Sequence, residues 1–328
     1  MIKKALLIGM LVASLSLNAQ ELKRATPLSG EGIYGFLERN GVDRKFKTEF
    51  VKLNASRLGA NESLLKDVSY QINPQWVVVP KEEWRVYPIF GKEHERLKIL
   101  SNELEGSVFY LVSGHGGPDP GAVAERTNGD LCEDEYAYDV TLRLARWLIQ
   151  RNALVYFIVR DDNDGIRDGP YLPCDKDEYA YTRGSIPRSQ VKRLEQRSDI
   201  INSLYRKHRG SKYQRMVVIH VDSRATNENV DVFFYHYPSS RRGKKLADDI
   251  LKTFDRNYKE FQPNRTYRGS VKPRSSLFVL KNTSPAAVFI ELGNIVNSKD
   301  QRRILIDDNR EALAKWIGEG LMKNFKER

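Results

Sequence analysis

Gly114-His115-Gly116-Gly117-Pro118-Asp119-Pro120-Gly121-Ala122 is the stretch from which the fold is read. The six residues before it, 108–113, are mostly apolar and include β-branched and aromatic side chains, as a buried strand does. Four glycines and two prolines within nine residues then exclude helix and sheet interior. They predict a tight loop whose backbone comes close to whatever the site holds. His115 therefore lies just past the carboxyl end of a buried strand, where open α/β sheets place their ligands. A lone loop histidine is more often structural than functional, so its meaning depends on what converges beside it.

Two further apolar runs end in the same way. Val217-Val218-Ile219 leads into His220, and residues 286–290 lead into Glu291, followed by Leu292-Gly293-Asn294. In a parallel sheet the carboxyl ends share one edge, so two imidazoles and a carboxylate meet there. That is the donor set of a catalytic zinc site, with water as the remaining ligand. A third protein ligand is expected. Glu133, at the start of a helix shortly after the glycine loop, faces back toward His115, but it also fits a local capping role opposite Asp130. Glu135 competes with it, and Asp134 does so more weakly. His94 among charges, His208 in a basic loop and His236 between tyrosines read as surface or packing residues.

Around these runs, strands and helices alternate. Strands are predicted at 107–113, 153–159, 216–221, 230–235, 277–280 and 286–290, and helices at 133–150, 191–206, 241–258 and 310–325. Tyr136, Val140, Leu144 and Trp147-Leu148 form one apolar stripe on the first helix. The alternation predicts an α/β fold, a mostly parallel twisted sheet flanked by helices. Residues 161–190 interrupt it. They are rich in Asp, Gly, Pro and Tyr, and read as either a substrate-contacting flap or an inert surface insertion.

The chain has 328 residues, enough for a catalytic domain and a smaller module. Residues 1–19 have a basic start, a short apolar run and a small-residue end at Ala19, the pattern of a cleaved secretory signal. The apolar run is well short of the roughly 20 residues a membrane span needs. The formal charge is +11, and loss of Lys3 and Lys4 lowers it to +9. An exported basic protein, periplasmic or bound to the cell wall, suits anionic partners such as wall carboxylates. No basic motif interleaved with aromatics points to nucleic acid. Cys132 and Cys174 can pair after export, and the reading leans to a disulfide over two free thiols.

Residues 31–80 read as a small α+β module, and 81–106 as a charged connector with one short strand. Gly32-Ile33-Tyr34, Lys52-Leu53-Asn54 and Ser69-Tyr70-Gln71-Ile72 resemble segments of a LysM-type glycan-binding module. A helical cap on the next domain is the plain alternative.

Within a domain expected over 107–328, the motifs of residues 107–326 resemble those of the zinc-dependent N-acetylmuramoyl-L-alanine amidases of the type 3 family. The glycine loop resembles the family's opening motif. Glu133-Asp134-Glu135-Tyr136 with Leu142-Arg143-Leu144-Ala145 resembles its helix start, although Asp134 stands where a lysine is usual. Ile219-His220 resembles its second histidine segment, and residues 285–293 with Asn297 its closing Glu-Leu-Gly motif. Position by position, the resemblance implies that His115, Glu133 and His220 ligate one Zn2+ and that Glu291 is the catalytic carboxylate. The register set by residues 142–145 favours Glu133 over Glu135. The implied reaction is hydrolysis of the amide joining N-acetylmuramic acid to L-alanine in peptidoglycan. The alternatives are another zinc amide hydrolase acting on wall peptides and a non-catalytic wall-binding protein.

Overall fold

The computed structural model describes residues 22–77, 83–127, 129–182, 184–223 and 228–328. The segment read as a signal peptide lies outside them. Among the described residues no helix is long and apolar enough to cross a membrane. The chain divides into two compact units, residues 1–81 and 82–328.

The first unit runs strand, helix, helix, strand: β1 (Lys23–Ala25), α1 (Ile33–Arg39), α2 (Lys47–Leu53) and β2 (Tyr70–Ile72). β1 and β2 pair antiparallel. Phe36, Leu37, Phe50, Tyr70 and Ile72 form its core. Asn54 is buried and fully used. Its amide donates to the carbonyls of Phe50 and Gln71 and accepts from Gln71 N, tying the end of α2 to β2.

The second unit opens with a hairpin, β3 (Trp84–Val86) and β4 (Arg96–Lys98). It continues through β5 (Ser107–Ser113), the short pair β6 (Val123–Ala124) and β7 (Leu131–Cys132), α3 (Glu133–Ile149) and β8 (Leu154–Phe157). A small three-stranded sheet follows, made of β9 (Val159–Arg160), β10 (Tyr179–Ala180) and β11 (Gly184–Ser185). Then come α4 (Gln190–Lys207), β12 (Tyr213–Asp222), β13 (Phe233–His236), α5 (Arg241–Phe261) and β14 (Val271–Pro273). The chain ends with α6 (Phe278–Asn282), β15 (Ala286–Asn294), α7 (Ser298–Leu305) and α8 (Asp307–Lys326).

The main sheet has six strands in the order β14-β13-β15-β12-β5-β8. All neighbours are parallel except β13 and β15. Because side chains alternate along a strand, each central strand feeds two cores. Phe109 and Leu111, Val217 and Ile219, and Val288 and Ile290 face α3, α5 and α8. Val108 and Tyr110, Met216 and Val218, and Ala287 and Phe289 face α4 and α6. A sheet covered on both faces gives the near-continuous apolar runs seen in the sequence.

The structure corrects the reading of 277–280 as a strand, since Phe278, Val279 and Leu280 lie in α6 and Leu277 caps it. Four apolar residues suit either element, and here Val279 and Leu280 pack as one helical turn beside Met216 and Val218. β14 and α7 had no sequence-based counterpart.

Every residue of α3 except Arg146 is buried, so its charges must be met internally. Asp139 accepts from Arg143 Nε at 2.8 Å and from Arg310 Nε of α8 at 2.7 Å. Arg310 also donates to the carbonyls of Arg167 and Gly169, and Arg167 N donates to Asp139. The 161–190 segment is thus fastened to α3 and α8. A disulfide between Cys132 and Cys174, with Cα atoms 5.7 Å apart, fastens it again at the start of α3.

Candidate metal centre

β5 ends at Ser113, and the chain turns sharply at His115, which has φ 58°. This left-handed conformation is costly for a residue with a Cβ and is held from outside. Arg197 of α4 donates to the His115 carbonyl, and Asp119 Oδ2 lies 2.9 Å from His115 Nδ1. Arg193, one turn before Arg197, pairs with the same Asp119 carboxylate. The ring is locked by its own loop and by α4.

The neighbouring glycines are required by close approach. A Cβ on Gly114 would stand 2.5 Å from the His220 ring. One on Gly121 would meet Glu133 Oε2 and His115 Cδ2 at 2.7 Å each. The loop is shaped as a cradle around three side chains.

Glu133 sits at the first position of α3. Its Oε1 is 2.8 Å from His220 Nδ1 and its Oε2 is 3.2 Å from His115 Nε2. Backbone N–H groups of Val221 and Ala122 donate one to each oxygen. His220, on β12, stacks on Phe289 of β15 with centroids 4.4 Å apart. The two imidazoles meet edge to face at 4.9 Å. Potential donor atoms of His115, Glu133 and His220 all lie within 4.8 Å of one another. Glu291 is the register partner of His220 across β12 and β15. It is buried, and its Oε2 has no hydrogen-bond partner among the described residues.

The electrostatics follow from this geometry. Burial alone would lower the His115 imidazole, but Asp119 and Glu133 outweigh it and raise it to about 9. Burial lowers His220. Burial would raise Glu133, yet the two imidazoles hold it well below the usual carboxylate range. Glu291 is pushed well above that range, first by burial and then by the charges of Glu133 and Asp222. Two nitrogen donors, a carboxylate kept ionised and an orphaned buried oxygen beside them fit a zinc ion better than a hard-cation site.

The four residues singled out from the sequence therefore stand together at one sheet edge. Glu135 does not join them. It turns to Arg167, 3.0 Å away, and accepts from Asp175 N. His94 accepts from Arg146, His208 meets the Tyr156 hydroxyl, and His236 donates to a backbone carbonyl. Sequence reasoning missed Asp119, Arg193 and Arg197. The two arginines are four apart on one face of α4, a spacing that could have drawn attention to them. With His115, His220, Asp119 and Phe289 they line a cavity of about 370 Å³.

Residues 110–323 match the family description N-acetylmuramoyl-L-alanine amidase, type 3. The germination-specific N-acetylmuramoyl-L-alanine amidase of Bacillus subtilis (strain 168) is 25% identical over 231 residues, which are 70% of this chain and 85% of that relative. The amidase CwlD of Clostridioides difficile, solved in complex with the lipoprotein GerS, shares the fold. It is 22% identical, aligns with 68% of this chain and 100% of its own, and has a TM-score of 0.51. The matched family is one of amide hydrolases. The chain is a member of the N-acetylmuramoyl-L-alanine amidase family.

Proposed function

We propose that this protein is exported to the periplasm or cell wall and hydrolyses the amide between N-acetylmuramic acid and L-alanine in peptidoglycan, using one zinc ion. The observation that carries the reading is the meeting of His115, Glu133 and His220 donor atoms within 4.8 Å, with Glu291 beside His220 on the next strand.

His115, Glu133 and His220 would hold the ion. When bound, zinc lowers the pKa of a water to about 7 and polarises the substrate carbonyl. The chain supplies the rest. Asp119 fixes the His115 tautomer through Nδ1, leaving Nε2 for the site. Phe289 holds the His220 ring flat. Glu291 takes the proton of the attacking water and passes it to the leaving amine. The net basic charge draws the protein to an anionic polymer.

Residues 31–80 would add glycan affinity as a LysM-like module. The unit has its own core and an exposed Tyr34 flanked by Arg44 and Lys47.

The test is digestion of purified peptidoglycan followed by mass spectrometry. Intact stem peptides beginning with L-alanine are expected. Chelation should abolish their release and added zinc restore it. Fragments cut within the stem peptide, or release that chelation does not affect, would refute the proposal.

A further inference from the structure

Behind Glu133, a second group of acids gathers where α3 meets the 161–190 segment. It is built from oxygen donors alone. Carboxylate oxygens of Asp134, Glu135 and Glu178 lie within 4.8 Å of one another. So do those of Asp161, Asp175 and Glu178, and those of Glu135, Asp164 and Asp175. Glu135, Asp175 and Glu178 each belong to two of these triads, which makes the group continuous.

Its charge is poorly compensated. Arg167 serves Glu135 and Asp164. Among the described residues no lysine or arginine forms an ion pair with Asp134, Asp161, Asp175 or Glu178. Asp134, Glu135, Asp161 and Glu178 are all buried. Asp134 is only 2% exposed. Its Oδ1 accepts from Glu135 N, but its Oδ2 is fully buried with no hydrogen-bond partner among the described residues. A buried carboxylate oxygen on a residue grouped with two other acids lacks the partner such groups almost always have.

We propose that Asp134, Glu135 and Glu178 bind a calcium ion that pins the Glu178 stretch to the first turn of α3. Calcium takes six to eight oxygen ligands at about 2.3–2.6 Å in adaptable geometry, so donors up to about 5 Å apart can share one ion. The absence of nitrogen and sulfur donors sets this site apart from the one at His115. The ion would also act on the neighbouring centre. Asp134 and Glu135 directly follow Glu133 on α3, and Glu178 Oε2 accepts from Gly117 N in the glycine loop.

The experiment is calorimetric titration of Ca2+ into the zinc-loaded, calcium-stripped protein, with thermal melts of the same samples. Wild type should bind one Ca2+ and gain several degrees in Tm at saturation. Asp134→Asn/Glu178→Gln should lose both effects. Its calcium-free Tm should equal or exceed that of calcium-free wild type, because like charges have been removed. Should that variant not fold, Glu178→Gln alone provides the same comparison. The proposal is overturned if wild type shows no Ca2+ heat and no melting shift, or if the substituted protein binds Ca2+ as wild type does. Zinc content, measured alongside, reports on the His115 site separately.

Discussion

His115 Nδ1 stands 2.9 Å from Asp119 Oδ2, within a loop whose other contacts hold the ring in a left-handed turn. The pairing runs both ways, since the imidazole holds the Asp119 carboxyl down at about 2. Asp119→Asn should keep the fold but weaken zinc binding by about 10–100-fold, the usual effect of losing a carboxylate behind a histidine ligand. Competition with a chromophoric chelator measures this. An unchanged dissociation constant would show that Asp119 does not orient the ring.

Glu291→Gln preserves volume and removes the base. Zinc content should stay at one per chain, while turnover on peptidoglycan falls by about 10²–10⁴-fold. Metal analysis and dye-release assays on one preparation decide it. Near-native turnover would remove Glu291 from the reaction.

Gly121 has φ +70°, and a Cβ there would press on both Glu133 and His115. Gly121→Ala should therefore lower zinc occupancy well below one per chain, with circular dichroism unchanged. Full occupancy would mean that the cradle tolerates more than its geometry indicates.

The Asp139 carboxylate is shared by Arg143 and Arg310 with no side-chain exposure at Asp139 or Arg310. Asp139→Ala leaves the buried Arg310 guanidinium with no acidic partner among the described residues and takes one of three from Arg143. It should cost about 3–5 kcal/mol in denaturant unfolding, the range for breaking a buried pair from one side. A loss below about 1 kcal/mol, the scale of exposed pairs, would contradict this reading.

Much of the fold was legible because its information is apolar. Residues 107–113, 216–221 and 286–290 are buried on both faces, and their continuous hydrophobicity announces both strand and layer. The site was legible for the same reason, since His115, His220 and Glu291 mark where those runs stop. Two kinds of feature were not. Short elements such as α6 carry too few residues to show a period. Glu133 and Glu135 both suit a helix start, and local pattern does not separate them. Two positions along a helix turn a side chain through about 200°, so one acid faces the histidines and the other faces Arg167. The 161–190 segment was opaque for a different reason. Carboxylates, arginines and a disulfide hold it, and such contacts leave no periodic trace.

Cys132 immediately precedes Glu133, and Cys174 immediately precedes Asp175. One covalent link therefore clips together the residues flanking both acid-lined centres. Before that link forms, the chain must bring Glu133 and Asp175 into place by packing alone. The state of this one bond depends on its surroundings: an oxidising compartment closes the two thiols, and a thiol-reducing one leaves them open.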